Sequence, residues 1–386
     1  MSLSLYQICK SGYLYLKKAI VSVINDLVTD QRVHKSCITL QKAGFEVLLI
    51  GRKLPGSLSV NDRGYKTHRM KLLFTRGPMF YASYNFRLFF YLLFHRADFL
   101  LANDLDTLLP NFLISRIKRI ELLYDSHEYF TETPELVNRK AVQKVWKTIE
   151  EFILPRLKEM ITVNDSIAQL FSRKYQIPVH VVRNIPAKYI SNGPLTRTAA
   201  GLPENKKILI LQGAGINVDR GAEELVEAMK FLPGFFLIII GGGDVLAKLV
   251  DISNHNNLND SILFLPKMPY QQMMQYTQLA DLGLTLDKDT NINYKFSLPN
   301  KLFDYIHAGI PVLASPLPEI KNIIDTYQIG TYIVNHQPES IALTITSIFN
   351  DENQWKTWKN NCLIASELLC WENESKNLTQ IYAKYS

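Results

Sequence analysis

The chain has 386 residues, of which 47% are hydrophobic and 20% are charged, and its formal net charge is +7 at pH 7. This composition is typical of a folded globular protein and excludes disordered and fibrous classes. The length predicts two domains, and the positive charge favours anionic partners such as phosphates, nucleic acid or acidic lipid headgroups.

The cysteines and the apolar segments indicate the cellular compartment and the kinds of site that the chain can hold. The four cysteines are Cys9, Cys37, Cys362 and Cys370. They form no Cys-x-x-Cys pair, so we expect neither a zinc site nor a disulfide framework. Lysines interrupt the apolar residues near the N-terminus, and the apolar run at 88–94 is too short to span a bilayer. These features predict a cytoplasmic protein without a signal peptide.

The first half of the chain alternates apolar strand-like runs with helical patterns, which predicts a doubly wound α/β domain with a parallel sheet. The predicted strands are residues 19–25, 45–51, 98–103, 121–127, 160–164 and 179–184. The predicted helices are residues 32–42, 83–95, 106–118, 139–158 and 165–175.

A proline- and glycine-rich stretch without periodicity follows, and the alternation then restarts. The predicted strands of the second half are residues 207–213, 235–243, 262–266, 282–286, 311–315 and 330–334. The predicted helices are residues 221–230, 244–255, 270–278, a helix between 297 and 309, and a helical tail from 338 onward. Because ligands bind beyond the carboxyl ends of parallel strands, two such domains predict a site in the cleft between them.

These patterns divide the chain into four parts. We predict an N-terminal Rossmann-like domain over residues 1–187, a linker over 188–206 and a C-terminal Rossmann-like domain over 207–365. The remaining residues, 366–386, form a helical tail for which packing back on the N-terminal domain is one arrangement.

The segment "SLPNKLFDYIHAG" predicts a helix capped by Ser297, with Pro299 in its first turn and Gly309 at its end. Lys301 and Asp304 then fall on one face of this helix. Free N–H groups at the helix start and a nearby lysine suit a diphosphate, and a carboxylate one turn later can accept both hydroxyls of a ribose. A surface helix with a Lys–Asp pair is the alternative.

Glycine-rich turns follow two strands of the second half. Their glycines are Gly213, Gly215, Gly241, Gly242 and Gly243. Glycine lets a backbone approach a phosphate, and Arg220, at the start of the next helix, can neutralise that phosphate bidentately. A tight turn with a solvated arginine fits the first turn equally well, and the Gly-x-Gly-x-x-Gly spacing of a dinucleotide site is absent.

Polar residues also end strands of the first half. His127 and Glu128 follow one strand, and a histidine there can contact a sugar hydroxyl or be a buried, hydrogen-bonded residue. Asp30 and Arg32 are placed in the loop after the first strand, and Asp104 follows another strand. Acceptor contact and helix capping fit these residues about equally.

Five segments, taken in order, resemble motifs of glycosyltransferase family 4: "NDLVTDQRVHKSCITLQKAGFEVLLIGR", "YDSHE", "QGAGINVDRG", "GGGD" and "SLPNKLFDYIHAGIPVLASPLPE". The resemblance covers nearly the whole chain. It implies the GT-B fold, in which two Rossmann-like domains face each other across a cleft. It also implies retaining, metal-independent transfer of a sugar from a nucleoside-diphosphate sugar to a glycan or lipid-linked glycan, without a cofactor, in surface polysaccharide synthesis.

The resemblance also assigns roles to residues. Asp304 takes the place of the second acid of the Glu-x7-Glu motif, which holds the donor ribose, and Arg220 that of a phosphate-binding lysine. His127 matches the histidine near the transferred sugar, and Lys301 joins it and Arg220 in the catalytic set. The rest of the donor-binding set is Gly213, Gly215, Gly241, Gly242, Gly243, Lys267, Ser297, Leu298 and Asn300. The acceptor-binding set is Asp30, Arg32, Asp104 and Glu128.

Two departures from the family pattern define the alternatives. Phe296 stands where many members have the first glutamate of the motif, and Ala214 stands where many have an arginine. An inert module that binds a nucleotide or glycan is therefore a second hypothesis, and an epimerase of nucleotide sugars is a third.

The stretch at 76–96 combines aromatic and basic residues. It favours either a packed amphipathic helix or peripheral attachment to anionic lipid at the inner face of a membrane.

Overall fold

The structure is a computed structural model that describes residues 16–28, 30–60, 62–189, 193 and 195–386. The chain forms two compact units: the first ends at Asn184 and takes in Glu374–Ser386, and the second is Ile185–Asn373. The predicted absence of a signal peptide concerns residues 1–15, which lie outside the described residues, as do 190–192 and 194 of the predicted linker.

The described part of the first unit contains a seven-stranded parallel sheet with the order β3-β2-β1-β4-β5-β6-β7. Its strands are β1 (Lys17–Asp26), β2 (Phe45–Lys53), β3 (Lys66–Lys71), β4 (Phe99–Asn103), β5 (Glu121–Ser126), β6 (Met160–Thr162) and β7 (Val179–Val181). The strand order reverses between β1 and β4, and such a switch point is where α/β sheets bind ligands.

Helices cover this sheet. They are α1 (Gln31–Lys42), α2 (Gly77–Phe94), α3 (Leu105–Lys118), α4 (Pro134–Val137), α5 (Lys140–Ile153) and α6 (Asp165–Tyr175). Helix α1 begins where it does because the Asp30 side chain accepts a hydrogen bond from the Val33 N–H. Val33, Cys37 and Leu40 recur at helical spacing and are buried.

The described part of the second unit contains a six-stranded parallel sheet with the order β10-β9-β8-β11-β12-β13. Its strands are β8 (Lys207–Gly213), β9 (Phe235–Gly241), β10 (Ile262–Pro266), β11 (Leu282–Thr285), β12 (Val312–Ala314) and β13 (Gly330–Tyr332). Here the switch point lies between β8 and β11, and the residues that follow these strands are the ones placed to bind a ligand.

The helices of the second part of the chain follow the same alternation. They are α7 (Ala222–Ala228), α8 (Leu246–His255), α9 (Tyr270–Leu279), α10 (Ile292–Lys295), α11 (Asn300–Ala308), α12 (Pro318–Tyr327), α13 (Pro338–Asn350), α14 (Glu352–Leu368) and α15 (Trp371–Ala383). No helix among the described residues combines the length and the apolar character needed to cross a membrane.

Alternation along a buried strand builds the core of the second unit in two layers. Leu209 and Leu211 of β8 pack in one apolar cluster, while Ile208 and Ile210 pack in another. Successive side chains of a strand point to opposite faces, so each cluster fills the space between the sheet and one layer of helices.

The predicted α/β class and the two parallel sheets are confirmed, and every predicted strand corresponds to a strand of the structure. Strand β3 and the helices α4, α10 and α12 are additions that we did not predict. Strand β3, "KTHRMK", is an edge strand whose residues are mostly polar, so it lacks the apolar run that marks the buried strands.

Candidate active site

The candidate donor site lies at the carboxyl edge of the second sheet. Strands β8 and β9 both end in glycine turns, strand β11 is followed by Asp287, and helix α11 carries Lys301 and Asp304. These segments come from separate parts of the sequence and meet because parallel strands end at the same edge.

The two glycine turns pack directly against each other. A Cβ added to Gly241 would lie 1.8 Å from the Gly213 carbonyl oxygen, and one added to Gly243 would lie 1.9 Å from the Ile216 carbonyl oxygen. The Gly242 N–H donates to the Gly213 carbonyl at 3.2 Å. Only glycine permits this contact, so these residues shape the site through their lack of side chains.

The neighbouring positions stay accessible. Gly215 and Ala214 are exposed at the turn after β8, so the position where Ala214 replaces an arginine opens onto solvent. Lys267 follows β10 and is also exposed. A Cβ on Gly242 would lie 2.3 Å from the Lys267 Cε, which places this lysine along the second glycine turn.

Two cations converge on one buried carboxylate. The Arg220 Nη1 lies 3.2 Å from the Asp287 Oδ1, and the Lys301 Nζ lies 3.8 Å from the same oxygen. Asp287 is fully buried, and the Arg220 guanidinium also stacks 4.1 Å above the Tyr294 ring. The predicted partners Arg220 and Lys301 are therefore brought together, and Asp287 is the residue that joins them.

The charges of this cluster do not balance. Burial lowers the pKa of Lys301, Asp287 acts in the opposite direction, and Arg220 lowers it further. For Arg220, burial is the largest effect and opposes the charged form, but Asp287 and Tyr294 together outweigh it and raise the pKa. One carboxylate thus faces two cations, so an anion that enters the site would relieve their mutual repulsion.

Two polar atoms of the site lack partners. The Nε of Arg220 and the Oγ of Ser297 are buried and make no hydrogen bond within the described residues. Buried donors are normally satisfied, and an orphaned donor in a native fold calls for an explanation such as a bound ligand. Both atoms can donate to a phosphate oxygen.

Asp304 is buried and already oriented. Its Oδ2 accepts a hydrogen bond from the Gln212 Nε2 at 3.0 Å, and its Oδ1 accepts one from the Tyr270 hydroxyl at 3.0 Å. The Gln212 side chain is itself fixed, because its Oε1 accepts a hydrogen bond from the Thr277 hydroxyl at 2.7 Å. A carboxylate with this orientation is of the type that accepts the hydroxyls of a ribose.

The predicted start of helix α11 was wrong. The helix begins at Asn300 with Pro299 as its extended N-cap residue, and Ser297 does not cap it. The residue before a proline disfavours helical geometry, so the helix cannot extend back through Leu298. Gly309 ends the helix in the left-handed conformation, as predicted. Leu298 packs against the core cluster and Asn300 is exposed, whereas Phe296 follows α10 and is half-buried.

In the first unit, His127 lies in a buried polar cluster after β5. Its Nδ1 is 3.2 Å from the Asp104 Oδ2, its Nε2 is 3.2 Å from the Asn103 Oδ1, and its backbone N–H donates to the Asp104 Oδ1 at 2.9 Å. Asp104 adopts a positive φ of 59°, which the following helix α3 and these contacts hold in place.

His127 is a cation at neutral pH. Burial favours its neutral form, but Asp104 and Asp125 outweigh burial and raise the pKa of His127 to about 10. Burial and the neighbouring Asp104 raise the pKa of Asp106 well above its usual range. The cluster therefore holds a hydrogen-bond donor, not a free base, at its partly exposed histidine.

The structure corrects the predicted setting of Arg32. This residue lies in the first turn of α1, not in the preceding loop, and only 5% of its side chain is exposed. Its Nη2 is 2.6 Å from the Asp125 Oδ1, its Nε donates to the other oxygen at 3.2 Å, and its Nη1 donates to the Val182 carbonyl at 2.9 Å. These bonds indicate that Arg32 stabilises the fold. Asp30 caps α1, and Glu128 is half-buried beside His127.

Sequence reasoning missed four residues of the donor-side site. They are Gln212, Tyr270, Asp287 and Tyr294. Asp287 had a usable signal, because it directly follows a buried strand that pairs with β8 at the switch point. The other three act through contacts between distant segments, which no local pattern reports.

Family models match both halves of the chain. The model described as "Glycosyltransferase Family 4" matches residues 31–185. The model described as "Glycosyl transferases group 1" matches residues 195–362.

A curated relative and solved structures extend these matches. The chain is 23% identical over 194 residues to chitobiosyldiphosphodolichol beta-mannosyltransferase from Candida albicans, and the match spans 47% of this chain but only 41% of that protein. Sucrose-phosphate synthase from Thermosynechococcus elongatus has a similar structure, with a TM-score of 0.78, 16% identity, and coverage of 95% of this chain and 98% of that one. Anabaena HepE in complex with UDP gives a TM-score of 0.71 at 14% identity, with coverage of 96% and 100%.

Proposed function

This chain is built from two glycosyltransferase domains in the GT-B fold, and from that premise we propose that it transfers a sugar from a nucleoside-diphosphate sugar to a glycan or lipid-linked glycan acceptor. One observation carries the proposal. Among the residues that the structure describes, the Nε of Arg220 and the Oγ of Ser297 are buried donors without partners, and Arg220 and Lys301 both pair with the carboxylate of Asp287. Such a site fits a diphosphate.

The diphosphate is bound by charge and by backbone access. Arg220 offers a fork of N–H donors and Lys301 a point charge, and both are held in place by Asp287 before the ligand arrives. The glycine turns after β8 and β9 let the phosphates approach the backbone. When the glycosidic bond breaks, negative charge grows on the departing diphosphate, and these prearranged cations stabilise it without a metal ion.

The nucleoside is bound one turn further along α11 than the diphosphate, at Asp304. Asp304 accepts the ribose hydroxyls, while Gln212 and Tyr270 orient its carboxylate. The base lies against the turn after β10, where Lys267 borders Gly242. This arrangement separates the nucleoside from the diphosphate along one helix.

In the first unit, His127 contacts the transferred sugar. Because the imidazole is protonated, it donates a hydrogen bond to a sugar oxygen and does not remove the acceptor's proton. The acceptor hydroxyl attacks on the face from which the diphosphate departs, and its proton passes to the departing phosphate oxygen. The anomeric configuration is retained by this route. Asp30, Asp104 and Glu128 are the acceptor-side contacts.

Peripheral contact with anionic lipid at the inner face of a membrane is part of the same proposal. Helix α2 exposes a stripe of aromatic residues, in which Phe86 is 66% and Phe94 is 76% exposed. Exposed aromatic side chains on a helix surface suit a lipid interface. This location would bring the enzyme to a lipid-linked acceptor in surface polysaccharide synthesis, and the curated relative is named for a dolichol-diphosphate-linked one.

The test is turnover on a panel of UDP-, GDP- and ADP-sugars, read as released nucleoside diphosphate. We expect one donor to be used, release to be unaffected by EDTA, and Arg220→Gln to lower the rate roughly 100-fold through the loss of one transition-state contact. Proton NMR of the product reports whether the configuration is retained or inverted.

Lys295→Gln is the matched control, since it removes one positive charge from an exposed pair with Asp289 in the same region. If no donor is used but one binds, the inert-module hypothesis replaces the enzyme. Equal rates for Arg220→Gln and Lys295→Gln would show that the diphosphate binds elsewhere.

A further inference from the structure

A second cationic site lies at the opposite end of β5 from His127. A cavity of about 260 Å³ opens where α3 ends and β5 begins, beside the short helical turn Leu154–Arg156. The charged residues in its wall are Arg116, Arg119, Arg156, Lys158 and Glu121. Four cations thus face one carboxylate. Strand β5 runs from Glu121 to Ser126, so the cavity is separated from His127 by the length of the strand.

The single carboxylate does not neutralise the arginines. The Glu121 Oε1 lies 2.5 Å from the Lys158 Nζ, so this acid is paired with the lysine. Within the described residues, Arg116, Arg119 and Arg156 have no acidic partner. Three guanidinium groups therefore border one cavity with their charge uncompensated.

Two of these guanidinium groups are held in place. The Arg116 guanidinium stacks 5.0 Å above the Phe112 ring and donates to the Arg156 carbonyl at 2.6 Å. The Arg156 guanidinium stacks 4.4 Å above the Phe152 ring and donates to the Phe152 carbonyl. A guanidinium carries five N–H donors, so each arginine retains most of its donors for a ligand. The Arg119 side chain makes no hydrogen bond, ion pair or ring contact with the described residues.

The carbonyl end of helix α3 offsets only part of the positive charge of these arginines. The carbonyl end of a helix carries the equivalent of about half a negative charge and attracts cations. The backbone N–H groups of Arg119 and Ile120 already donate to the Ser115 carbonyl, which reduces the demand on the side chains. The helix end thus offsets less than one of the three positive charges.

Resting on the peripheral lipid contact of the proposed function, we propose that this pocket binds a phosphate group, supplied by the headgroup of an anionic phospholipid. Planar guanidinium groups bind phosphate oxygens bidentately, and a phosphate carries charge that matches several arginines.

The surroundings of the pocket favour the lipid over a soluble phosphate. Leu113 and Ile117, on the same helix as Arg116, are 39% and 60% exposed. The Lys118 Nζ donates to the Leu92 and His95 carbonyls, which places this end of α3 beside Phe94 of the aromatic stripe on α2. Exposed apolar side chains thus lie on the helix that carries Arg116 and on the neighbouring α2, where they suit the acyl region of a lipid surface.

The experiment measures binding to short-chain phosphatidylglycerol, short-chain phosphatidylcholine and inorganic phosphate by calorimetry, with the full chain and no nucleotide sugar. We expect phosphatidylglycerol to bind and phosphatidylcholine to bind far more weakly. The double variant Arg116→Gln/Arg119→Gln should weaken phosphatidylglycerol binding by at least about tenfold, because two bidentate contacts are lost. Arg119→Gln alone, which removes no side-chain hydrogen bond or ion pair within the described residues, should weaken binding without lowering the thermal midpoint.

The matched control is Lys42→Gln/Arg173→Gln, which removes the same charge from exposed positions elsewhere on the first unit. Its binding should equal that of the wild type. Equal losses in both double variants would overturn the proposal, because they would reveal an effect of net charge alone. Inorganic phosphate that binds as tightly as the lipid would overturn the assignment to a headgroup. Neither outcome depends on sugar transfer, so failure here is distinguishable from failure of the proposed function.

Discussion

Asp287 organises the donor-side site by holding two cations in place. Its buried carboxylate holds Arg220 and Lys301 within 4 Å of one oxygen, at 3.2 and 3.8 Å, and so fixes two cations that would otherwise repel each other. Arg220 and Lys301 could be identified from the sequence because each lies beside a recognisable strand–turn–helix pattern. Asp287 offered only its position after a buried strand as a signal, and Tyr270 offered none, because its importance depends on a contact between segments distant in sequence.

The raised pKa of His127 predicts a dependence of stability on pH. Its folded-state pKa is about 10, whereas an unfolded histidine has a pKa of about 6.5. The stabilisation is complete below about pH 6.5, where both states carry the proton, and it is lost as the pH rises toward 10. Urea unfolding at several pH values should therefore show that His127→Gln flattens this decline, by about 2–4 kcal/mol across the range.

His255→Gln serves as the control, because His255 is an exposed residue of α8. It should retain the wild-type dependence on pH. A parallel decline in wild type and His127→Gln would contradict the assignment of a protonated His127.

Substitution of Arg32 distinguishes a role in stabilising the fold from a role in binding the acceptor. Arg32→Met removes the bidentate partner of the buried Asp125 and leaves it with His127, whose Nε2 lies 3.6 Å away; breaking such a buried pair typically costs about 3–5 kcal/mol of unfolding free energy. The double variant Arg32→Met/Asp125→Asn should recover part of the loss, because the carboxylate that lost its arginine is no longer charged. If Arg32→Met unfolds like the wild type but raises the KM for the acceptor, the acceptor-binding role predicted from sequence is restored.

At the scale of elements, the two glycine turns form one unit. They follow neighbouring strands, and the first turn places two carbonyls where the second turn would need Cβ atoms. The sequence showed that both strands end in glycine, but the mutual contact depends on the register of β8 and β9. Strand β3 could not be predicted at all, because this edge strand is mostly polar and lacks the apolar run by which the buried strands are recognised.

Gly243→Ala should disrupt this contact. The added methyl group would lie 1.9 Å from the Ile216 carbonyl oxygen, which forces the two turns apart. We expect a loss of about 1–3 kcal/mol in stability and at least about tenfold weaker binding of the nucleotide-sugar donor. Thermal unfolding and calorimetry check these two effects.

Gly234→Ala is the matched control, because nothing lies within 4 Å of its added methyl group. It should bind the donor normally. If Gly243→Ala binds the donor as well as Gly234→Ala does, the packing of the turns is not part of the site.

At the scale of the whole molecule, two parallel sheets each place a polar cluster at the edge where their strands end. The alternating pattern of the sequence was sufficient to predict both sheets, because buried parallel strands are continuous apolar runs that helices separate. The orientation of side chains at each edge was not predictable in the same way. Ser297 illustrates this, since Pro299 delays the start of α11 and turns a predicted cap into a buried, unpartnered hydroxyl.

The most direct test of the account is a crystal structure of the chain with the nucleoside diphosphate that the turnover panel selects. The account predicts phosphate oxygens within about 3 Å of the Arg220 Nε, the Lys301 Nζ and the Ser297 Oγ, with the ribose hydroxyls on Asp304. A diphosphate bound away from Arg220 and Lys301, with the Arg220 Nε still unpartnered, would contradict it.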